Sequence, residues 1–170
     1  MLPHLYFAYG SNLFLKQMDQ RCPGHEPVGK ARLPGWHLAF TAHSQRWGGA
    51  VATIVPVTAQ HPEWTIESAT SHDWRHDHVP GAVYRLNDEH MQILDGFEEH
   101  PHVYRRTQVI VDLHDGEQWR PTEVITYIRP LQQRLPGAPV YVDTIARGYV
   151  AHGLDPEHLF SAALFRPDGW

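Results

Sequence analysis

The chain has 170 residues, 42% of them hydrophobic and 19% charged, with a formal net charge of -5. That acidic balance excludes a general nucleic-acid or anionic-membrane surface and leaves a small molecule as the expected partner. The length suits a single domain spanning residues 1–170, no stretch approaches the roughly 20 apolar residues of a membrane span, and Cys22, the only cysteine, excludes an internal disulfide.

The start, Met1-Leu2-Pro3-His4, has neither a basic region nor a leader-length apolar segment, so a cytoplasmic location is expected. Leu5-Tyr6-Phe7-Ala8-Tyr9 is an aromatic and apolar run of the kind favoured in strands, and Gly10-Ser11-Asn12 ends it. Two readings of that ending stay open. It is either a pocket floor, where Gly10 lets backbone approach a ligand and Ser11 and Asn12 add polar groups, or a plain turn with a helix N-cap. Residues 13–20 predict a short helix, broken by Arg21-Cys22-Pro23-Gly24. Leu33, Trp36, Leu38 and Phe40 recur near period two within residues 31–41, predicting strand on either side of Pro34-Gly35. Residues 50–57 predict another strand, entered through Gly48-Gly49.

Periodicity disappears between residues 60 and 80, in His61-Pro62-Glu63-Trp64 and His72-Asp73-Trp74-Arg75-His76-Asp77-His78, which predicts a long surface loop. Its imidazoles follow no established zinc spacing and have no thiolate nearby, so no metal site is assigned. A strand over residues 82–86 leads to Asn87, which can cap a helix bearing Asp88 and Glu89 in its first turn. Met91, Leu94 and Phe97 are expected on its core face, with Gly96 just past its end. Strands over residues 104–113 and 122–128 are joined by a hairpin turn at Asp115-Gly116. Residues 130–139, rich in proline, predict a surface-wrapping segment. Val142, Ile145, Ala146, Tyr149 and Val150 then recur at helical spacing up to Gly153, and Asp155-Pro156-Glu157 starts a last helix carrying Leu159, Phe160, Ala163 and Leu164. Both stripes are assigned to the core. The element order is that of an α+β fold.

The FAYGSNL run from Phe7 to Leu13, followed by Val28-Gly29-Lys30-Ala31-Arg32-Leu33, Trp47-Gly48-Gly49-Ala50, Leu94-Asp95-Gly96-Phe97-Glu98 and Pro139-Val140-Tyr141, resembles the γ-glutamylcyclotransferase family in its broad sense, including γ-glutamylamine cyclotransferases and AIG2-like proteins. The resemblance implies a small mixed β-barrel with helices packed outside it. It also implies an intramolecular acyl transfer of lyase type. The α-amine of a γ-glutamyl compound attacks its own γ-carbonyl, giving 5-oxoproline and releasing the attached amine, with no cofactor required.

Glu98 and Glu99 are adjacent, so at most one points easily into a pocket, and spacing does not choose between them. The family's LDxxE pattern falls on Leu94, Asp95 and Glu98, which makes Glu98 the implied proton-transfer residue; Glu99 stands where the family usually has glycine. The resemblance further implies Tyr6, Phe7, Ala8, Tyr9, Gly10 and Ser11 as contacts for the γ-glutamyl part. Tyr141 is implied as a substrate tyrosine, with Tyr127 a second candidate. A γ-glutamyl small molecule is then the substrate, for a chain acting as monomer or homodimer. The alternative is a non-catalytic binding or regulatory module that keeps the pocket, against which stands the joint presence of Tyr9-Gly10-Ser11 and Glu98.

Overall fold

A computed structural model describes residues 3–57 and 77–165. Its centre is a closed barrel of five strands in the order β1 (His4–Ala8), β5 (His78–Leu86), β2 (Glu26–Pro34), β6 (Arg105–His114) and β7 (Trp119–Ile128). Neighbours pair antiparallel except β1 and β7, whose parallel pairing at Tyr6 and Ile125 closes the barrel and makes it mixed. β3 (Trp36–Ser44) and β4 (Gly49–Pro56) form a separate two-stranded sheet. The helices are α1 (Leu15–Arg21), α2 (Asp88–Phe97), α3 (Pro139–His152) and α4 (Glu157–Ala163), and a 3-10 turn over Ser11–Leu13 joins β1 to α1. Among the described residues no helix is long and apolar enough to cross a membrane.

Strand β5 is buried along nearly its whole length, as its apolar sequence requires of a strand covered on both faces. Asn87 caps α2 as expected: its side chain accepts from the His90 N–H at 2.8 Å, and the His90 ring accepts in turn from the Asn87 N–H at 3.4 Å. The segment between β7 and α3 is stitched to the β3–β4 sheet. Thr41 Oγ1 donates to the Gln133 carbonyl (2.9 Å), Thr53 Oγ1 to the Arg129 carbonyl (2.6 Å), and the Leu135 N–H to the Phe40 carbonyl (3.0 Å).

Four expectations change. Gly96 lies inside α2, which runs on to Phe97 with Glu98 as its C-cap, because helix N–H bonds continue through that turn. Phe97 is 39% exposed rather than on the core face, since the Arg21 and Arg46 guanidiniums lie over its ring at 4.1 and 4.9 Å. On the last two helices Val150, Phe160 and Leu164 face outward, Val150 with 83% of its surface exposed. Strand β2 begins at Glu26, where Glu26-Pro27-Val28-Gly29 has no apolar alternation and pairing with β5 is interrupted between Pro27 and Gly29. Most of the His-rich loop, including His72 and His76, lies outside the described residues.

Helix α3 meets the 3-10 turn at Gly148, where a Cβ would stand 2.4 Å from Leu13 Cβ and 2.6 Å from the Leu13 carbonyl carbon. Alanine is favoured over glycine in a helix by about 1 kcal/mol, but forced overpacking costs about 1–3 kcal/mol, and here the obstruction is backbone. Gly148→Ala is therefore expected to lower the free energy of unfolding, measured by urea denaturation. A variant as stable as the parent would mean that α3 does not depend on this close approach.

Candidate active site

The chain leaves β1 at Ala8 and turns at once, so side chains that alternated along the strand no longer do. Tyr6 from the strand and Tyr9, Gly10, Ser11 and Asn12 from the turn line one cleft of about 670 Å³. Arg21 at the end of α1, Arg46 and Trp47 from the β3–β4 turn, Glu98 at the end of α2, Tyr104, Arg129 and Tyr141 complete its functional lining.

Gly10 has φ −112, a value open to any residue, so its need for glycine is spatial. A Cβ there would lie 2.9 Å from the Tyr141 hydroxyl. That hydroxyl accepts from the Ala52 N–H at 3.2 Å, while Tyr104 donates its own hydroxyl to the Ala52 carbonyl at 2.6 Å. The two tyrosines thereby hold both backbone groups of one β4 residue at the cleft wall.

Asn12 is buried, and every polar atom of its side chain is engaged. Its Oδ1 accepts from Arg21 at 2.8 Å and from Gln17 at 3.1 Å; its Nδ2 donates to the Tyr6 hydroxyl at 2.9 Å and to Glu98 Oε1 at 3.4 Å. Glu98 is half-buried beside it. Burial pushes its carboxyl up, against the lowering influence of Arg21, the Asn12 hydrogen bond and Arg46, to about 7. Tyr6 and Tyr141 are also pushed up by burial, with the Glu98 charge adding to it, and so stay protonated. Glu99 is exposed at the rim of the cleft, with φ 50, the left-handed region that favours glycine.

Asp95 braces the end of α2. It accepts from Arg106 Nε and Nη2 at 2.8 and 2.7 Å and from the Tyr127 hydroxyl at 2.7 Å. Burial alone raises the Asp95 pKa, but the Arg106 and Tyr127 hydrogen bonds outweigh it and hold the group below its ordinary range. Tyr127 is thus committed to Asp95 while its residue lines the cleft.

Of the residues singled out from the sequence, Tyr6, Tyr9, Gly10, Ser11, Glu98 and Tyr141 meet in the cleft. Phe7 and Ala8 do not: alternation turns Phe7 to the face opposite Tyr6, and Ala8, on the Tyr6 face, is covered by its neighbours where β1 pairs with β5, so both are fully buried in the barrel wall. Sequence reasoning named Asn12 only as a polar group of the pocket floor, without its bond to Glu98, and did not bring Arg21, Arg46, Trp47, Tyr104 and Arg129 to the cleft. Asn12 lay within the quoted motif, but the three arginines carry no local pattern that marks them. Among the described residues no group of three or more His, Cys, Asp or Glu side chains is arranged to hold a metal ion.

The profile of the family described as Gamma-glutamyl cyclotransferase, AIG2-like matches residues 6–144. The γ-glutamylcyclotransferase of Mus musculus is 30% identical over 169 residues, covering 96% of this chain and 79% of the relative. The Homo sapiens protein of the same name is 28% identical, covering 98% and 80%. A solved structure of a γ-glutamyl cyclotransferase superposes with a TM-score of 0.76 at 25% identity, covering 99% of this chain and 90% of the other.

The Glu98 environment has a consequence for stability that is independent of turnover. An unfolded glutamate titrates near about 4.3, whereas folded Glu98 titrates at about 7. Between those values the folded chain keeps a proton that the unfolded chain has released, so stability falls as pH rises through the window. Glu98→Gln is expected to remove that part of the fall, as read from unfolding free energies between pH 4.5 and 7.5. Parallel profiles for the two proteins would mean that the carboxyl is not held away from water.

Proposed function

Because the chain belongs to the γ-glutamyl cyclotransferase, AIG2-like family, we propose that it converts a γ-glutamyl compound to 5-oxoproline and a free amine, with Glu98 moving the protons. The observation that carries this reading is a half-buried carboxyl titrating at about 7, bonded to Asn12 and lining one cleft with the Gly10–Ser11 turn. An α-amino group titrates near about 7.7–8.0, so proton transfer between the two is close to balanced at neutral pH.

Ionised Glu98 takes a proton from the substrate α-ammonium. The freed amine attacks the γ-carbonyl carbon, forming the new C–N bond and an oxyanion. Glu98 gives its proton to the leaving nitrogen as the old C–N bond breaks and the carbonyl re-forms. It then takes the second proton from the ring nitrogen and passes it to the released amine, returning to its starting state. One carboxyl therefore shuttles both protons, and the remaining task is to hold nitrogen and carbon within about 3–3.5 Å.

Tyr6, Tyr9, Gly10, Ser11 and Tyr141 form the glutamyl subsite in this reading. Gly10 keeps the floor low, and Tyr141 has its oxygen occupied by Ala52, leaving its proton to donate to an anionic oxygen. Backbone N–H groups at the head of the 3-10 turn supply further donors for the α-carboxylate or the oxyanion. Arg21, Arg46 and Arg129 also line the cleft, and the leaving group is assigned to their field. Arg21 is bound to Asn12; Arg46 lies over Phe97 and Arg129 over Tyr104, and neither is in an ion pair among the described residues. That field suits a leaving amine bearing a carboxylate and opposes one bearing a second ammonium, such as isopeptide-linked lysine.

Two outcomes are expected. With a turned-over γ-glutamyl compound and 5-oxoproline read by mass spectrometry, Glu98→Gln lowers kcat by about 10²–10⁴-fold, and kcat/KM of the parent rises with pH to an inflection near 7. Full activity of that variant would remove Glu98 from the chemistry. Arg46→Glu is expected to narrow the preference for acidic over cationic leaving groups by about tenfold, the effect of one reversed charge at a partly solvated distance. An unchanged preference would move selectivity elsewhere on the rim.

A further inference from the structure

The 3-10 turn that carries Ser11 and Asn12 is too short to satisfy its own backbone. The Gly10 carbonyl accepts from the Leu13 N–H and the Ser11 carbonyl from the Phe14 N–H, both at 3.0 Å. The Phe14 carbonyl is taken up by the start of α1, accepting from the Gln17 and Met18 N–H groups at 3.0 and 3.1 Å. The Asn12 and Leu13 carbonyls, left between those two systems, are met by side chains from elsewhere. Tyr84, fully buried on β5, donates its hydroxyl to the Asn12 carbonyl at 3.0 Å. His152, in the last turn of α3, has its Nε2 3.1 Å from the Leu13 carbonyl and 2.9 Å from the Tyr84 oxygen.

The protons in this chain are fixed by its ends. Both carbonyls can only accept, so the Tyr84 proton goes to Asn12 and the His152 proton must sit on Nε2, directed at Leu13 and the Tyr84 oxygen. Burial lowers the His152 pKa, outweighing the raising influence of the Leu13 carbonyl, which favours the neutral ring that this arrangement uses. Helix α3 delivers the imidazole through a single face: Tyr141 under Gly10, Gly148 against Leu13, and His152 one turn further on.

We propose that Tyr84 and His152 are positioning residues for the active site, clamping the two spare carbonyls of the 3-10 turn so that the Asn12 amide is held against Glu98. The inference rests on the cyclotransferase reading for its kinetic readout, though not for its structural one. The Asn12 backbone and side chain belong to one residue a few bonds apart. Freeing its carbonyl lets that residue rotate away from the Glu98 oxygen, 3.4 Å distant. The groups facing Glu98 from other elements are Arg21 on α1, Arg46 on the β3–β4 turn, Tyr6 on β1, Tyr9 after it, Tyr104 before β6 and Tyr141 on α3. Of these, Tyr6 stacks on Tyr84 with ring centroids 6.5 Å apart, a contact whose ring Tyr84→Phe keeps and the His152 variants leave in place.

The test uses Tyr84→Phe, His152→Leu and His152→Gln, the last keeping a side-chain N–H able to reach Leu13. The Glu98 carboxyl is titrated by ¹³C NMR in protein labelled at glutamate carboxyl carbons, with the resonance assigned through Glu98→Gln. Tyr84→Phe and His152→Leu are expected to move that titration to higher pH, because the Asn12 hydrogen bond favours the ionised form. Both should lower kcat about tenfold with KM changed less than twofold, and His152→Gln should restore both readouts. If Tyr84→Phe does not fold, the half-buried His152 at a helix end supplies the same comparison. Folded variants whose Glu98 titration and kcat match the parent overturn the proposal, whatever their melting temperatures. A parent that titrates as expected but releases 5-oxoproline from no γ-glutamyl compound would instead overturn the proposed function, leaving the clamp to be judged by NMR alone.

Discussion

The hydrogen bonding of one amide, that of Asn12, is the constraint on which the site depends. Two donors, from Arg21 and Gln17, converge on its oxygen, and this fixes which end of the amide is which. Its nitrogen must then face Tyr6 and Glu98. Strand β1, the 3-10 turn, helix α1 and the end of α2 thus meet at four polar atoms in a buried setting, where an unmade hydrogen bond costs about 1–3 kcal/mol. That cost locks the pieces in register. The same bond joins Arg21 and Arg46 in opposing the rise in Glu98 pKa caused by burial, so the acid–base setting of the carboxyl is a balance between its burial and these three groups.

The barrel supplies the rigidity that such a balance needs. The parallel pairing of β1 with β7 occurs beside the point where β1 stops, so the chain enters the cleft from a fully closed wall. Asp95, held by Arg106 of β6 and Tyr127 of β7, pins the far end of α2 to that wall. Glu98 is consequently anchored one turn after a buttressed residue, although it lies at a helix terminus, where backbone would otherwise fray.

Much of this was legible in the sequence, and the misses have more than one cause. The first strand, the Asn87 cap, the Asp115-Gly116 hairpin and the two last helices follow from local chemistry, and each is present. Tyr6, Gly10, Glu98 and Tyr141 came together through a family pattern rather than through periodicity, since they are separated along the chain by up to 135 positions (141 − 6). Phe7 and Ala8 were assigned to substrate as part of a contiguous motif, yet Phe7 points to the face opposite Tyr6 and the small Ala8 is covered by its neighbours, so both face protein. On α3 the apolar stripe nominated Ile145 and Tyr149, which are buried, and Val150, which is exposed, but passed over Gly148 and His152, which meet the 3-10 turn. A helix packing on apolar side chains announces itself by hydrophobic spacing; one packing on bare backbone needs a gap and a donor, and neither registers as a stripe. Arg21, Arg46 and Arg129 were illegible for a different reason, as nothing short-range distinguishes a guanidinium aimed at a cleft from one in water.

The β3–β4 sheet stands outside the barrel and is joined to it through side-chain and backbone bonds to residues 129–138. Its turn brings Arg46 and Trp47 to the cleft but contributes nothing to the Asn12 network, and Arg46 is the last of the influences on the Glu98 carboxyl. In the proposed reading, Glu98 and the contribution of Arg46 to leaving-group choice therefore stand on different stretches of backbone, whereas Arg21 belongs to both the Asn12 network and the field at the leaving group. Within that turn the Trp47 ring centroid lies 4.9 Å from that of Tyr141, Gly48 holds φ 71 and Gly49 has little room for a Cβ beside Ala138, so Arg46 is the position where a new specificity can be grafted with the turn itself left intact.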